Sequence, residues 1–159
     1  MTSALTFDIK GYFDFVNHNR LLAELKRKGL PLEYVKWTAS FLSDREAAVC
    51  IDGIRGDMKR VENGIPQGSP VSPILAAFYM AKLLDDFNTR ANRPITTTPV
   101  PDNPTEPHLY MYVDDGKIFV SSESLDTNIQ LLKSTYNKVE EWLLKAGLAP
   151  DHTKRELMH

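Results

Sequence analysis

Cysteine is almost missing. Cys50 is the only one in 159 residues, so no disulfide can close within the chain and the fold has to rest on its apolar core, as suits a reducing compartment. No Cys/His cluster has the spacing of a zinc site. No apolar run approaches the roughly 20 residues that span a bilayer, and no signal peptide opens the chain; we expect no membrane partner. Heptads and internal repeats are absent, which excludes coiled coils and solenoids. Positive charge is not in surplus either. Lys and Arg number 19 against 21 Asp and Glu, a net charge of -2, which argues against tight nucleic-acid binding by this chain acting alone.

What is present is ordinary globular material, 42% hydrophobic and 25% charged, of a length that suits one domain. The chain is organised around Tyr112-Val113-Asp114-Asp115-Gly116. Apolar runs flank it, residues 109–113 before and 118–120 after, both rich in β-branched and aromatic residues, and both predict buried strands. Asp-Gly between two such runs predicts a hairpin turn at that dipeptide. A merely acidic turn is one reading of the segment. The paired carboxylates favour another, because adjacent like charges at an apolar hairpin repel, and a divalent cation would relieve them.

Taken in order, residues 4–10 predict a strand carrying Asp8 near its end, followed by a tight aromatic stretch at 11–16. A helix is expected from about Asn19 to Lys28, with Leu21, Leu22 and Leu25 inward and Gly29 as its stop. A second is expected from Pro31 to Leu42, with Val35, Thr38, Phe41 and Leu42 inward. Short strands at 47–51, with Cys50 buried, and at 58–61 would flank a turn at 52–56. Residues 64–73 hold too much Gly and Pro for regular structure and end in Ser72-Pro73, a cap and a first helical residue. The helix from Pro73 to about Thr89 should turn Ile74, Ala77, Phe78, Ala81 and Leu84 inward. Residues 93–107 carry five prolines and predict an exposed, extended insertion. Residues 124–146 predict a helix with Ile129, Leu132, Tyr136, Val139 and Leu143 inward, and 155–158 a last strand. This order is that of an α+β fold: an antiparallel sheet covered by helices on one face. In such a sheet the end of the Asp8 strand can lie beside the Asp114-Asp115 turn.

Three segments, Phe7-Asp8-Ile9-Lys10-Gly11-Tyr12-Phe13-Asp14, Gly64-Ile65-Pro66-Gln67-Gly68-Ser69-Pro70 and Tyr112-Val113-Asp114-Asp115, resemble in order and spacing the palm of reverse transcriptases, of the kind found in non-LTR retrotransposons and group II introns. Residues 147–151 with Lys154 and Glu156 resemble the palm motif that follows. The resemblance covers nearly the whole chain. It implies a single palm domain over 1–159 with a ferredoxin-like core and part of a fingers hairpin. It also implies RNA-directed DNA polymerase activity at an intracellular, nuclear location. The implied partners are an RNA or DNA template with its primer and deoxynucleoside triphosphates, and the implied cofactors are two Mg²⁺ or Mn²⁺ ions. Asp8, Asp114 and Asp115 match the metal ligands, with the Ile9 carbonyl assisting.

Phe13 matches the aromatic under the sugar that would exclude a 2′-hydroxyl; the alternative is a core aromatic. Gln67 and Gly68 match the loop against the incoming nucleotide and template, or form a plain turn. Lys154 matches a lysine proposed to protonate the leaving pyrophosphate, or is a solvated lysine. Asp14 matches a recurrent acidic position and reads as structural or as a support behind the metal-binding residues, His18 as capping or packing, and Lys26-Arg27-Lys28 and Lys59-Arg60 as solvated faces able to meet phosphates. A complete enzyme of this kind also has a fingers region before the palm and a thumb after it, so we expect the missing parts in a longer polyprotein. A catalytically silent binding or scaffold domain is the alternative function.

Overall fold

A computed structural model of the chain describes residues 1–87 and 106–159. In chain order its elements are β1 (Thr2–Lys10), α1 (Tyr12–Phe15), α2 (His18–Arg27), α3 (Leu32–Leu42), β2 (Glu46–Ala47), β3 (Cys50–Ile51), β4 (Ile54–Arg55), β5 (Lys59–Arg60), α4 (Ser72–Phe87), β6 (His108–Tyr112), β7 (Asp115–Ser121), α5 (Leu125–Lys145) and β8 (Ala149–Met158). They form two compact units, residues 1–12 with 80–159 and residues 13–79, with boundaries at the start of α1 and inside α4. Most of 93–107, the Pro-rich stretch, lies outside the described residues.

The first unit is built on a four-stranded sheet in the order β6-β7-β1-β8, antiparallel at every pairing. Burial alternates along it as a one-sided sheet requires. Gly116, Ile118 and Val120 of β7 are buried while Asp115 and Lys117 are exposed, and Phe7 and Ile9 of β1 are buried on the same side. Helix α5 lies against β7, β1 and β8 and buries Leu132, Tyr136, Val139 and Leu143 at the predicted spacing. The Phe7 and Tyr136 rings meet edge to face, centroids 5.6 Å apart. Each large apolar side chain so buried contributes roughly 1.5–3 kcal/mol. The α+β sheet with helical cover is the architecture expected.

The second unit holds α1, α2, α3, the two small ribbons and the loop before α4. Asn17 caps α2, its side-chain oxygen accepting from the Arg20 N–H at 3.0 Å, and Leu21, Leu25, Val35, Thr38 and Leu42 are buried as predicted.

Four expectations are corrected. The buried residues of α4 are Leu75, Ala76, Tyr79, Met80 and Leu83, with Ile74 more than half exposed, a face turned by one residue from the predicted one. The helix is apolar nearly all round, so its periodicity cannot choose a side. The segment 46–60 forms two separate two-stranded ribbons, β2 with β5 and β3 with β4, every strand of them exposed; Cys50 is exposed too, because a lone two-stranded ribbon has two open faces. Ser72 does not serve as a cap: its hydroxyl donates back to the Pro66 carbonyl at 2.5 Å. The hairpin turn falls on Val113-Asp114, two residues before the predicted Asp115-Gly116, since Tyr112 already pairs with Asp115.

Candidate functional site

The sheet brings two distant acidic segments together. Asp8 stands directly opposite Asp115 in the β1–β7 ladder, and the Ile9 N–H donates to the Asp114 carbonyl at 3.1 Å. Directly opposed residues project to the same face of an antiparallel sheet. On the other side of β1, Asp8 pairs with Asp151 of β8. One row thus runs Tyr112, Asp115, Asp8, Asp151 across all four strands, on the face away from Phe7 and Ile9. Asp114 is half-buried and Asp115 exposed. The turn that carries Asp114 is strained: Val113 has φ +58°, a left-handed conformation that costs a β-branched residue dearly and that the surrounding ladder enforces.

Lys154 reaches the same row. Its Nζ lies 2.9 Å from Asp8 Oδ2, with the Asp8 side chain only 14% exposed. Between Glu156 and Asp151, β8 advances five residues while β1 advances two, from Thr6 to Asp8, so β8 carries a bulge of three extra residues. Asp151 shapes that bulge by accepting from both the N–H and the hydroxyl of Thr153, at 3.0 and 2.6 Å. Those two bonds hold the Asp151 carboxyl below its ordinary range, and the hydrogen bond and field of Asp8 hold the Lys154 ammonium above its own.

Among the described residues no three acidic, histidine or cysteine side chains gather closely enough to hold a metal ion. The donors are nevertheless of the right kind, hard carboxylate oxygens in one row, and a cation already sits on Asp8 in the form of the Lys154 ammonium.

The remaining predicted residues lie in the second unit. Phe13 is half-buried in α1 and Gln67 and Gly68 are exposed in the loop before α4. Gln67 Nε2 donates to Asp14 Oδ1 at 3.3 Å, both side chains exposed. The loop is tied to α1 at Gly64. The Gly64 N–H donates to the Val16 carbonyl and the Ile65 N–H to the Phe13 carbonyl, at 2.8 and 2.7 Å. The Gly64 carbonyl in turn accepts from His18 Nε2 at 2.7 Å and from Arg45 at 3.1 Å. His18 therefore packs rather than caps, with its Nε2 the protonated nitrogen. Arg45 was not marked by the sequence motifs, and Asp151 was marked only as part of the 147–151 motif, with no role of its own. Both act through tertiary pairings that local pattern does not encode.

The family model described as reverse transcriptase (RNA-dependent DNA polymerase) matches residues 1–159. The RNA-directed DNA polymerase of the mobile element jockey from Drosophila melanogaster is 29% identical over 136 residues, 85% of this chain and 14% of that protein. The Pol polyprotein of the R2 element of Nasonia vitripennis is 38% identical over 80 residues, covering 48% of this chain and 8% of that protein. Apo telomerase from Candida tropicalis, truncated of its C-terminal domain, superposes with a TM-score of 0.69 at 18% identity, over 99% of this chain and 30% of that one. The chain spans about 14% of the length of the jockey relatives it matches. Among the described residues no helix is long and apolar enough to cross a membrane.

Proposed function

Since the chain belongs to the reverse transcriptase family, we propose that it is the palm of an RNA-directed DNA polymerase, one that adds deoxynucleotides to a primer 3′-hydroxyl on an RNA or DNA template. The observation that carries this reading is the opposition of Asp8 and Asp115 in one ladder, with Asp114 bonded through its carbonyl to Ile9. Asp8, Asp114, Asp115 and the Ile9 carbonyl would hold two Mg²⁺ or Mn²⁺ ions, which when bound supply activation of the primer hydroxyl and charge stabilisation for the leaving pyrophosphate. The chain's own part is to fix those oxygens. The backbone positions of Asp8, Ile9 and Asp115 are set by ladder register on β1 and β7, and Asp114, in the turn, is held by the Ile9 N–H on its carbonyl, the kind of preorganisation that electrostatic catalysis needs. Lys154, which reaches that row of carboxylates from the β8 bulge, is a cation that would meet phosphate oxygens there. Gly68, exposed beside Gln67, leaves the backbone open to close approach by a nucleotide. Fingers and thumb segments of a longer polyprotein are the proposed partners for alignment, which supplies up to roughly 7–11 kcal/mol in well-oriented reactions.

The test is a chimera in which residues 1–159 replace the matching segment of the Drosophila jockey polymerase. It should extend a labelled DNA primer on an RNA template, and Asp115→Ala should lower extension on the order of a hundredfold or more. Little synthesis is expected from residues 1–159 alone. A folded chimera no more active than its Asp115→Ala form would favour a silent scaffold domain instead.

Phe13 is the proposed sugar gate. In the same chimera Phe13→Val should raise incorporation of ribonucleotides relative to deoxynucleotides on the order of tenfold, the scale of a methylene-sized fit. An unchanged ratio, with unchanged deoxynucleotide use, would make Phe13 a packing residue only.

A further inference from the structure

We infer that Lys154 is the internal counter-ion of Asp8 in the metal-free chain, and that a divalent cation and the Lys154 ammonium compete for the same carboxylate. This rests on the metal reading proposed above and adds a step to it: cation binding is what releases the lysine.

Three observations lead here. Lys154 Nζ sits 2.9 Å from Asp8 Oδ2, on the carboxylate whose backbone lies between two further acidic positions, Asp115 on one side and Asp151 on the other. A row with three carboxylates has a strong demand for positive charge, and Lys154 is the cation that meets Asp8 directly. Second, the lysine is delivered by a bulge rather than by the regular ladder. The three extra residues of β8 lift the 152–155 segment out of register, and the Asp151–Thr153 bonds fix the turn within it. Its position is therefore built into the strand. Third, the pair is reversible. The Lys154 side chain is 61% exposed while that of Asp8 is 14% exposed, so the ammonium can swing into solvent without breaking the fold, whereas Asp8 stays in place for the next cation. An exposed ion pair is held weakly; a divalent ion collecting several oxygen ligands outcompetes it. Release then frees an ammonium beside the row where triphosphate oxygens would arrive.

The experiment is a Mn²⁺ titration of the 159-residue chain by calorimetry and by electron paramagnetic resonance, with Lys154→Met and Lys10→Met as variants. Lys10 lies two residues past Asp8 at the exposed end of β1 and reports the general field of a nearby lysine. Lys154→Met should tighten Mn²⁺ binding about two- to fivefold, the range open to an exposed ion pair, and Lys10→Met should do less. In the unaltered chain, Mn²⁺ should raise the rate at which an amine-reactive reagent labels Lys154, read by mass spectrometry. Equal affinity of the unaltered chain and Lys154→Met, equal tightening by the two variants, or labelling of Lys154 indifferent to Mn²⁺ would each overturn the inference and leave the metal reading standing. No Mn²⁺ binding by any of the three proteins would overturn both.

Discussion

Gly116→Ala should lower stability by about 3 kcal/mol, at the upper end of the usual cost of overpacking a core. For a chain of this size that corresponds to a fall of about 6–12 °C in melting temperature. A Cβ built on Gly116 would overlap the outer end of the Phe7 ring, its Cζ and both Cε atoms. That ring cannot retreat, because it is 2% exposed and wedged edge-on against Tyr136. The glycine is therefore fixed by its neighbour across the ladder, Phe7 pairing with Gly116, and not by its own backbone angles. A double variant separates this cause from others. Phe7→Leu combined with Gly116→Ala should cost less than the two single changes together, since the smaller side chain makes room for the methyl. Thermal melting by circular dichroism checks both statements. An unchanged melting temperature for Gly116→Ala would refute the packing described for the sheet.

Gly64→Ala should be at least as damaging, about 3–5 kcal/mol, from two costs that add. The residue has φ +84°, where an L side chain loses about 1–2 kcal/mol. The added Cβ would also lie 2.8 Å from the Asp14 carbonyl oxygen and 2.9 Å from that of Phe13. These are backbone atoms, held by the bonds that join the loop to α1, so relief means breaking the Ile65–Phe13 or Gly64–Val16 hydrogen bond. Gly68 supplies the control. It has the same φ, +84°, with nothing within 4 Å of where its Cβ would stand. Gly68→Ala should cost only the conformational part, roughly 1–2 kcal/mol. Urea unfolding of the two variants measures the difference. If they lose equal stability, the carbonyl contacts at Gly64 carry no weight and the tie between loop and α1 is looser than drawn.

Much of the architecture was legible in sequence because local pattern and tertiary demand agreed. In α5 the spacing of Leu132, Tyr136, Val139 and Leu143 picks out one stripe among polar residues, and that stripe is the buried one. The meeting of the Asp8 strand with the Asp114-Asp115 turn was suggested but not dictated by the sequence, since both segments read as buried strands ending in acid while their pairing is set only in the sheet. Legibility failed where a residue answers to something remote. Asp-Gly advertised a turn at 115–116, yet Gly116 is there for Phe7, a residue near the other end of the chain, and the left-handed position is filled by Val113, which no turn rule selects. Helix α4 is apolar on too many sides to declare its inner one. The apolar residues of the 46–60 ribbons, Val49, Ile51 and Ile54, imitate core and stay exposed. The bulge that carries Lys154 to Asp8 is a matter of pairing between β8 and β1, and a single strand's pattern contains no record of it.

The place of β1 in the sheet also governs when the sheet can form. Thr2–Lys10 lies between β7 and β8, pairing Thr2 with Ser121 and Ala4 with Met158. During synthesis at roughly 5–20 residues per second, the segment that will become a central strand waits about 7–30 seconds before its second partner is complete. Contacts this distant along the chain close late and slow folding. Until β7 is made β1 has both edges bare, and until β8 follows it still has one, the condition in which nascent chains pair with the wrong neighbour. Its alternate polar residues, Thr2, Thr6, Asp8 and Lys10, are all that temper it.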